Sequence, residues 1–511
     1  MPFDPNASDL TVAIIGTGTM GRGIMQVSAE GGLRVIAYDE KPGAAEAAKA
    51  YIGKMLDGQV TKGRMDAAKA KAALDRISVA SDITAVSRAN LVVEAIVEIL
   101  GLKQELFAKL DQLCGQDTIL ATNTSSLLVT AVAAKATRHP ERIGCMHFFN
   151  PVPLMKLVEV VPGLKTAHWV TDAMMALGRR MTREPVLCTD SPGFIVNHAG
   201  RGIREAERVL LENIATVPEI DRIMTGAPGL KLGAFALFDM VGLDVSHGVH
   251  ESFFNQYYAE PAFQPSTLGT LRVAGGLLGA KSGAGWYQHK DGKRVDPELP
   301  KVPARRDVPV WVYPSPSHAD LQAPFIELFR KSHLTVETGD TPSKNALIVT
   351  MAIGYDLTTA VSELKLDGAR TVSVDVLFGM KGPRTLMVTP ATAPEYRDAA
   401  HALLAADGQP VVVINDSPGY VAQRIVAMIV NTGCQIAQRA VASPVDIDRA
   451  VVLGLGYPFG PLAWGDHIGA KRVLFILERL QAFYGEPRYR PSPWLKRRAA
   501  LGLPLSAPEG R

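Results

Sequence analysis

The sequence predicts an α/β domain built on a mostly parallel sheet, followed by mostly α-helical domains. Three observations carry this. Short apolar runs such as Val12-Ala13-Ile14-Ile15, Leu91-Val92-Val93 and Ile119-Leu120-Ala121 alternate with helix-length amphipathic stretches up to about residue 187. From Asp190 to about Asp244 the pattern is helical, with no further strand alternation. The second half then repeats features of the first at a fixed spacing, as duplicated chains do.

Each element of the first part has its signal. Val12–Ile15 reads as a strand, and Gly16-Thr17-Gly18-Thr19-Met20-Gly21 opens a helix. Leu33-Arg34-Val35-Ile36-Ala37-Tyr38 is a second strand, ending in Asp39. This is a Rossmann-type βαβ unit. Gly16 permits the tight turn, Gly18 lets the backbone approach a pyrophosphate, and Gly21 lets helix and strand pack closely. The helix offers its unpaired N–H groups to the phosphates. A carboxylate at Asp39 accepts hydrogen bonds from adenosine ribose hydroxyls and disfavours a 2′-phosphate, so the expected cofactor is NAD.

Beyond it, Pro42 to Leu74 reads as a helical pair and Leu102 to Leu113 as an amphipathic helix. The strand Thr118–Thr122 ends in Asn123-Thr124-Ser125-Ser126, polar residues at the edge where open α/β sheets bind ligands. A strand running into His147, a Pro-containing turn, and a strand Leu157–Pro162 follow. Alternation puts Leu157, Glu159 and Val161 on one face. A carboxylate among apolar neighbours needs a partner, and His147 is the natural one. On local sequence alone a structural histidine and a catalytic one both remain open. Asp190-Ser191-Pro192-Gly193 starts a helix whose opening turns hold Asn197.

Composition narrows the class. A formal charge of +3 on 511 residues points to neither nucleic acid nor a membrane surface. No apolar run approaches the roughly 18 to 20 residues needed to span a bilayer, and the start Met1-Pro2-Phe3-Asp4 lacks a secretion signal's basic and apolar regions. Four scattered cysteines without a Cys-x-x-Cys pair argue against a disulfide framework or a metal site. A cytoplasmic setting is expected.

The segments Gly16–Gly21, Val92 to Glu98, Asn123 to Leu127, His147-Phe148-Phe149-Asn150-Pro151, Leu157-Val158-Glu159, Asp190 to Asn197 and Lys281 to Tyr287 resemble, in order, the 3-hydroxyacyl-CoA dehydrogenases. The resemblance covers roughly residues 8 to 290 and is specific through the set. It implies His147 as general base with Glu159 bonded to it, and Ser125 and Asn197 holding the substrate's oxygens. It also implies Asn123, Glu98, Lys103 and Lys281 near the nucleotide, and Lys62 near a coenzyme A contact. The implied helical domain is 6-phosphogluconate-dehydrogenase-like, and the implied partner is an acyl-CoA. Histidine suits the chemistry, since oxidising an alcohol near neutral pH needs a base of its strength.

The second half echoes the first at an offset that stays near 226 residues. Asp416-Ser417-Pro418-Gly419-Tyr420 repeats Asp190 to Phe194, and Gln423 stands at the counterpart of Asn197. No second glycine fingerprint or His-Phe-Phe-Asn-Pro segment occurs in it, so a single nucleotide site is expected. The expected domains are 1–187 (NAD-binding), 188–290 (helical), 291–330 (linker) and 331–511 (a degenerate second copy ending in a helical domain). That copy's helices are expected to pack against the first helical domain, supplying in one chain what shorter relatives obtain by dimerising. The whole is expected to be a monomer or homodimer. Long bacterial members of phenylacetate catabolism, acting on 3-hydroxyadipyl-CoA, are the nearest resemblance. 3-Hydroxybutyryl-CoA, another β-hydroxyacid, and a non-enzymatic dinucleotide-binding role remain as alternatives.

Overall fold

The structure, a computed structural model, describes residues 3–315, 318–331 and 335–510. Pro316 and Ser317 of the expected linker, and residues 332–334 and 511 of the expected second copy, lie outside these, as do Met1 and Pro2. The chain divides into two compact units, Met1–His198 with Ile436–Leu455, and Ala199–Gln435 with Gly456–Glu509.

The first unit is built on eight strands: β1 (Thr11–Ile15), β2 (Arg34–Tyr38), β3 (Ile77–Val79), β4 (Leu91–Glu94), β5 (Ile119–Thr122), β6 (Ile143–Phe148), β7 (Leu157–Pro162) and β8 (Glu184–Leu187). They lie in the order β3-β2-β1-β4-β5-β6-β7-β8, all parallel except β6 with β7. Both faces are buried, which is why these strands read as apolar runs without polar alternation. Val12, Ile14, Leu91 and Val93 pack on one side with Ile24 and Ile52. Ala13, Ile15, Val92 and Leu120 pack on the other with Phe107 and Leu110. The strand order reverses between β1 and β4, the point at which ligands bind such sheets.

Helix Pro444–Leu455, from the second half of the sequence, belongs to this first unit and packs on β7 and β8. The Thr189 N–H donates to Val441 O (2.8 Å) just beside it.

The second unit opens with helices, including Glu205–Leu211, Val217–Thr225, Ala234–Val241 and Leu243–Gln256. The helical run after Asp190 is broken into short pieces, Val196–Ala199 and Gly202–Arg204 preceding Glu205–Leu211. A small hairpin, β9 (His289–Lys290) with β10 (Lys293–Arg294), follows. Then comes a second sheet in the order β12-β11-β13-β14-β15-β16. Its strands are β11 (Val310–Val312), β12 (Val336–Glu337), β13 (Leu347–Thr350), β14 (Thr371–Val374), β15 (Arg384–Met387) and β16 (Val411–Ile414). Sequence reading placed β11 and the helix Ala319–Lys331 in a linker. β11 is three residues between Pro309 and Pro314, too short and too proline-bounded to show a strand period.

The 226-residue offset carries β6, β7 and β8 onto β14, β15 and β16, and helix His168–Arg180 onto Pro394–Leu404. The antiparallel pair recurs too, in β14 with β15. The duplication therefore extends into the sheet. At the counterparts of His147, Glu159 and Phe194 stand Ser373, Thr385 and Tyr420. Ser373 Oγ shares hydrogen bonds with Tyr420 Oη (2.5 Å) and Thr350 Oγ1 (2.8 Å) and accepts from Ala352 N–H (3.1 Å).

A buried cation, Arg424, is among the links between the second helical copy and the first. The Arg424 guanidinium contacts Glu205 (2.6 Å), Glu212 (2.9 Å), Tyr484 (2.8 Å) and Tyr489 (2.9 Å). Arg424 comes from one repeat and Glu205 from the other. Their counterparts at the 226 offset are His198 and Asn431, so the pair is specific to two unlike copies.

Candidate active site

The glycine turn ends β1. Gly16 has φ +86°, and a Cβ there would lie 2.6 Å from Ala95 O. A Cβ on Gly21 would sit 1.8 Å from Gly16 O, so helix Thr19–Glu30 approaches the turn only with glycine at that position. Gly18 faces open space, with nothing within 4 Å of a built Cβ. That opening, above the first N–H groups of the helix, fits a dinucleotide's phosphates.

Asp39, at the end of β2, accepts from Thr17 N–H (2.7 Å) and Thr17 Oγ1 (2.9 Å) through one oxygen and from Lys41 N–H (3.0 Å) through the other. Partial burial works to raise its pKa, but the bonds from Thr17 and Lys41 prevail and hold it below the usual carboxylate range. Its charge is thus fixed beside the glycine turn.

His147 and Glu159 meet across the antiparallel β6–β7 pair, in direct register. Glu159 is fully buried and His147 is 5% exposed. His147 Nδ1 lies 2.6 Å from Glu159 Oε2. With a carboxylate as partner Nδ1 carries the proton, which leaves the lone pair on Nε2. Glu159 Oε1 accepts from the N–H groups of Ile195 (3.0 Å) and Val196 (2.9 Å). The rings of Phe149 and Phe194 lie 4.4 and 5.7 Å from the imidazole, limiting water around it.

Ser125 and Asn197 are brought together, Asn197 Nδ2 donating to Ser125 O at 3.3 Å. Asn123 Oδ1 accepts from Phe148 N–H (2.8 Å), tying the end of β5 to the end of β6. Glu98 holds the serine loop, its Oε1 accepting from Thr124 Oγ1 (2.5 Å), Ser125 N–H (3.0 Å) and Ser126 N–H (3.1 Å). Burial favours a neutral Glu98, but Lys103, Thr124 and Ser125 outweigh it and lower its pKa.

Lys103 is 1% exposed, with its ammonium 2.6 Å from Glu94 and 3.2 Å from Glu98. A buried ammonium needs its counter-charges. It therefore reaches the serine loop through Glu98. Lys281 belongs to the second unit and pairs there with Asp244 (2.5 Å). Lys62 is exposed at the end of helix Ala44–Thr61.

Several participants had only weak sequence signals. Glu94 breaks an apolar strand, and its carboxylate accepts from Ile96 N–H (2.7 Å), Lys103 Nζ (2.6 Å) and Thr122 Oγ1 (2.7 Å). Asp190 caps the helical turn after the serine loop, accepting from Val129 and Thr130 N–H groups at 2.8 Å each. The N–H groups of residues 195 and 196 leave no trace in side-chain identity at all. No metal-ligating cluster of His, Cys, Asp or Glu occurs among the described residues.

A dinucleotide fold with a histidine–carboxylate pair at its carboxyl edge defines a dehydrogenase class. The chain matches the description "3-hydroxyacyl-CoA dehydrogenase, NAD binding domain" over residues 11–191. It matches "3-hydroxyacyl-CoA dehydrogenase, C-terminal domain" over 193–289 and again over 419–507. It belongs to the 3-hydroxyacyl-CoA dehydrogenase family. A relative from Escherichia coli K12 named 3-hydroxyadipyl-CoA dehydrogenase is 39% identical over 494 residues, covering 96% of this chain and 98% of the relative. A crystal structure titled 3-hydroxybutyryl-CoA dehydrogenase, also from Escherichia coli K12, has TM-score 0.84 at 36% identity, covering 96% and 98%. The (S)-3-hydroxybutyryl-CoA dehydrogenase structure from Ralstonia eutropha covers 55% of this chain and 99% of its own, with TM-score 0.53 and 37% identity.

Proposed function

We propose that His147, Glu159, Ser125 and Asn197 carry out NAD-dependent oxidation of an (S)-3-hydroxyacyl-CoA to the 3-oxoacyl-CoA, with 3-hydroxyadipyl-CoA as substrate. The observation that carries the reading is the buried 2.6 Å contact between His147 and Glu159 at the sheet's carboxyl edge. In this reading His147 Nε2 removes the proton of the C3 hydroxyl. Glu159 orients the ring and stabilises the imidazolium. Ser125 and Asn197 hold the substrate's oxygens, and Glu98, supported by Lys103, holds the loop that carries Ser125. Bound NAD supplies the hydride acceptor.

Gly16, Gly18, Thr19, Met20 and Gly21 would cradle the pyrophosphate, Asp39 the adenosine ribose and Asn123 the nicotinamide side. Lys281 and Lys62 remain proposed contacts of nucleotide and coenzyme A. The domain reading is that 188–290 and the end of 331–511 are two copies of one helical domain, the first working with the NAD-binding domain. The enzyme would act in the cytoplasm, as a monomer or homodimer.

The choice of acyl chain rests on the long relative named for 3-hydroxyadipyl-CoA. The crystal structure of similar length titled for 3-hydroxybutyryl-CoA makes that substrate the second reading. The test is oxidation of NADH by purified enzyme with 3-oxoadipyl-CoA or acetoacetyl-CoA, alongside His147→Gln. The parent enzyme should turn over, faster with 3-oxoadipyl-CoA. The variant should lose about 10²–10⁴ in kcat while still binding NADH. Inactivity with every 3-oxoacyl-CoA would overturn the reading.

A further inference from the structure

The strand that carries Glu159 is backed by a helix from the other end of the chain. Helix Pro444–Leu455 packs on β7 and β8, and Gly454 is one of its points of contact with the residues around them. A Cβ on Gly454 would lie 2.8 Å from Val196 Cγ2, 3.0 Å from Val196 Cγ1 and 3.1 Å from Leu157 Cδ2. Leu157 is two residues before Glu159 on the same face of β7. Val196 donates its N–H to Glu159 Oε1 and directly precedes Asn197. Both neighbours of the missing methyl thus belong to the scaffold of the dyad.

Glycine weakens a helix, and Gly454 has no left-handed φ that would require it. Close approach is the reason that remains. The first-copy counterpart, helix Val217–Thr225, aligned through Ile220-Asp221-Arg222 with Ile447-Asp448-Arg449, ends at the position of Val452, so Gly454 lies on a turn that only the second copy has. Within the second unit the counterpart contact is made by Gly226, where a Cβ would lie 2.8 Å from Pro383, the counterpart of Leu157. The end of the first copy's helix thus approaches the entry to β15, and among the described residues only the first sheet carries a histidine–carboxylate pair behind such a contact.

We propose that Gly454 is a positioning residue for catalysis: by admitting the second copy's helix against Leu157 and Val196, it sets the carboxylate of Glu159 against His147. This rests on the reading that His147 and Glu159 do the chemistry. It makes the duplicated half a working part of the site, although it holds no catalytic side chain of its own.

The test uses the full-length enzyme with Gly454→Ala and Gly454→Val. Displacements of about an ångström at a catalytic centre cost on the order of 10²-fold. Gly454→Ala should therefore lose roughly tenfold in kcat and Gly454→Val roughly a hundredfold. Kd for NADH should stay within about twofold, since the glycine turn and Asp39 are not touched, and the loss should fall mainly on kcat. Adding Val196→Ala to Gly454→Ala makes room for the methyl and should restore most of the lost turnover. Lowered Tm with unchanged kcat would show plain packing and overturn the proposal. So would a loss shared by KM and Kd, or one that Val196→Ala does not rescue. Where Gly454→Val does not fold, Gly454→Ala and its rescue decide. The parent enzyme and His147→Gln in the same assay separate failure of this inference from failure of the catalytic reading.

Discussion

At the scale of residues, Glu159 and Asp39 use one device for two purposes. Each carboxylate spends part of its hydrogen-bonding capacity on backbone N–H groups, which fixes the direction of what remains. For Glu159 the N–H groups of Ile195 and Val196 hold one oxygen, and the other meets His147. For Asp39 the Thr17 and Lys41 N–H groups pin the side chain beside the glycine turn and keep it charged. Two unit charges about 4 Å apart interact by about 1–4 kcal/mol between water-like and surface-like screening. Asp39→Asn should therefore reduce the preference for NADH over NADPH about tenfold or more, read as the ratio of kcat/KM values. Unchanged discrimination would mean that the acid plays no part in cofactor choice. The dyad was legible because register and period place His147 and Glu159 on one face of neighbouring strands. The burial of Lys103 was not legible, since nothing in the local sequence shows that Glu94 and Glu98 enclose it.

At the scale of elements, the second sheet shows what a catalytic edge becomes without its chemistry. Ser373, Thr350 and Tyr420 close a hydrogen-bonded cluster at the place of the dyad. Beside it Asp375 accepts from Gln423 Nε2 (2.9 Å) and Leu377 N–H (3.1 Å). Burial pushes its carboxyl up to about 6 against those bonds. A raised carboxylate pKa means that the folded state holds this proton more tightly than the unfolded chain, whose value is about 4. Asp375 thus costs least below about pH 4, and its penalty grows as pH rises through about 6. Asp375→Asn keeps an acceptor and removes the charge. It should unfold at higher urea than the parent at pH 8, with the gap narrowing at pH 5. An equal loss of stability at both would show that the buried charge is not what sets the cost there. This sheet was only partly legible. Val411–Ile414 shows as an apolar run, whereas β11 and β12 are too short, at three and two residues, to display any period.

At the scale of the whole molecule, duplication has been divided into a working copy and a supporting one. The first copy carries the glycine turn, the acid at Asp39 and the dyad. The second lacks the turn and has Ser373 and Thr385 at the dyad's counterparts. It keeps the helices, one of which lies in the first compact unit against β7 and β8. The repeat itself was readable from the Asp-Ser-Pro-Gly segments alone. That helix Pro444–Leu455 backs β7 and β8 was not, because that depends on contacts between residues about 260 to 300 positions apart. The most direct test of this division is the number of NADH molecules bound per full-length chain, measured by calorimetric titration. One site per chain, lost on filling the Gly18 opening with the side chain of Gly18→Val, is the expected result. Two sites per chain, or one that survives Gly18→Val unchanged, would contradict it.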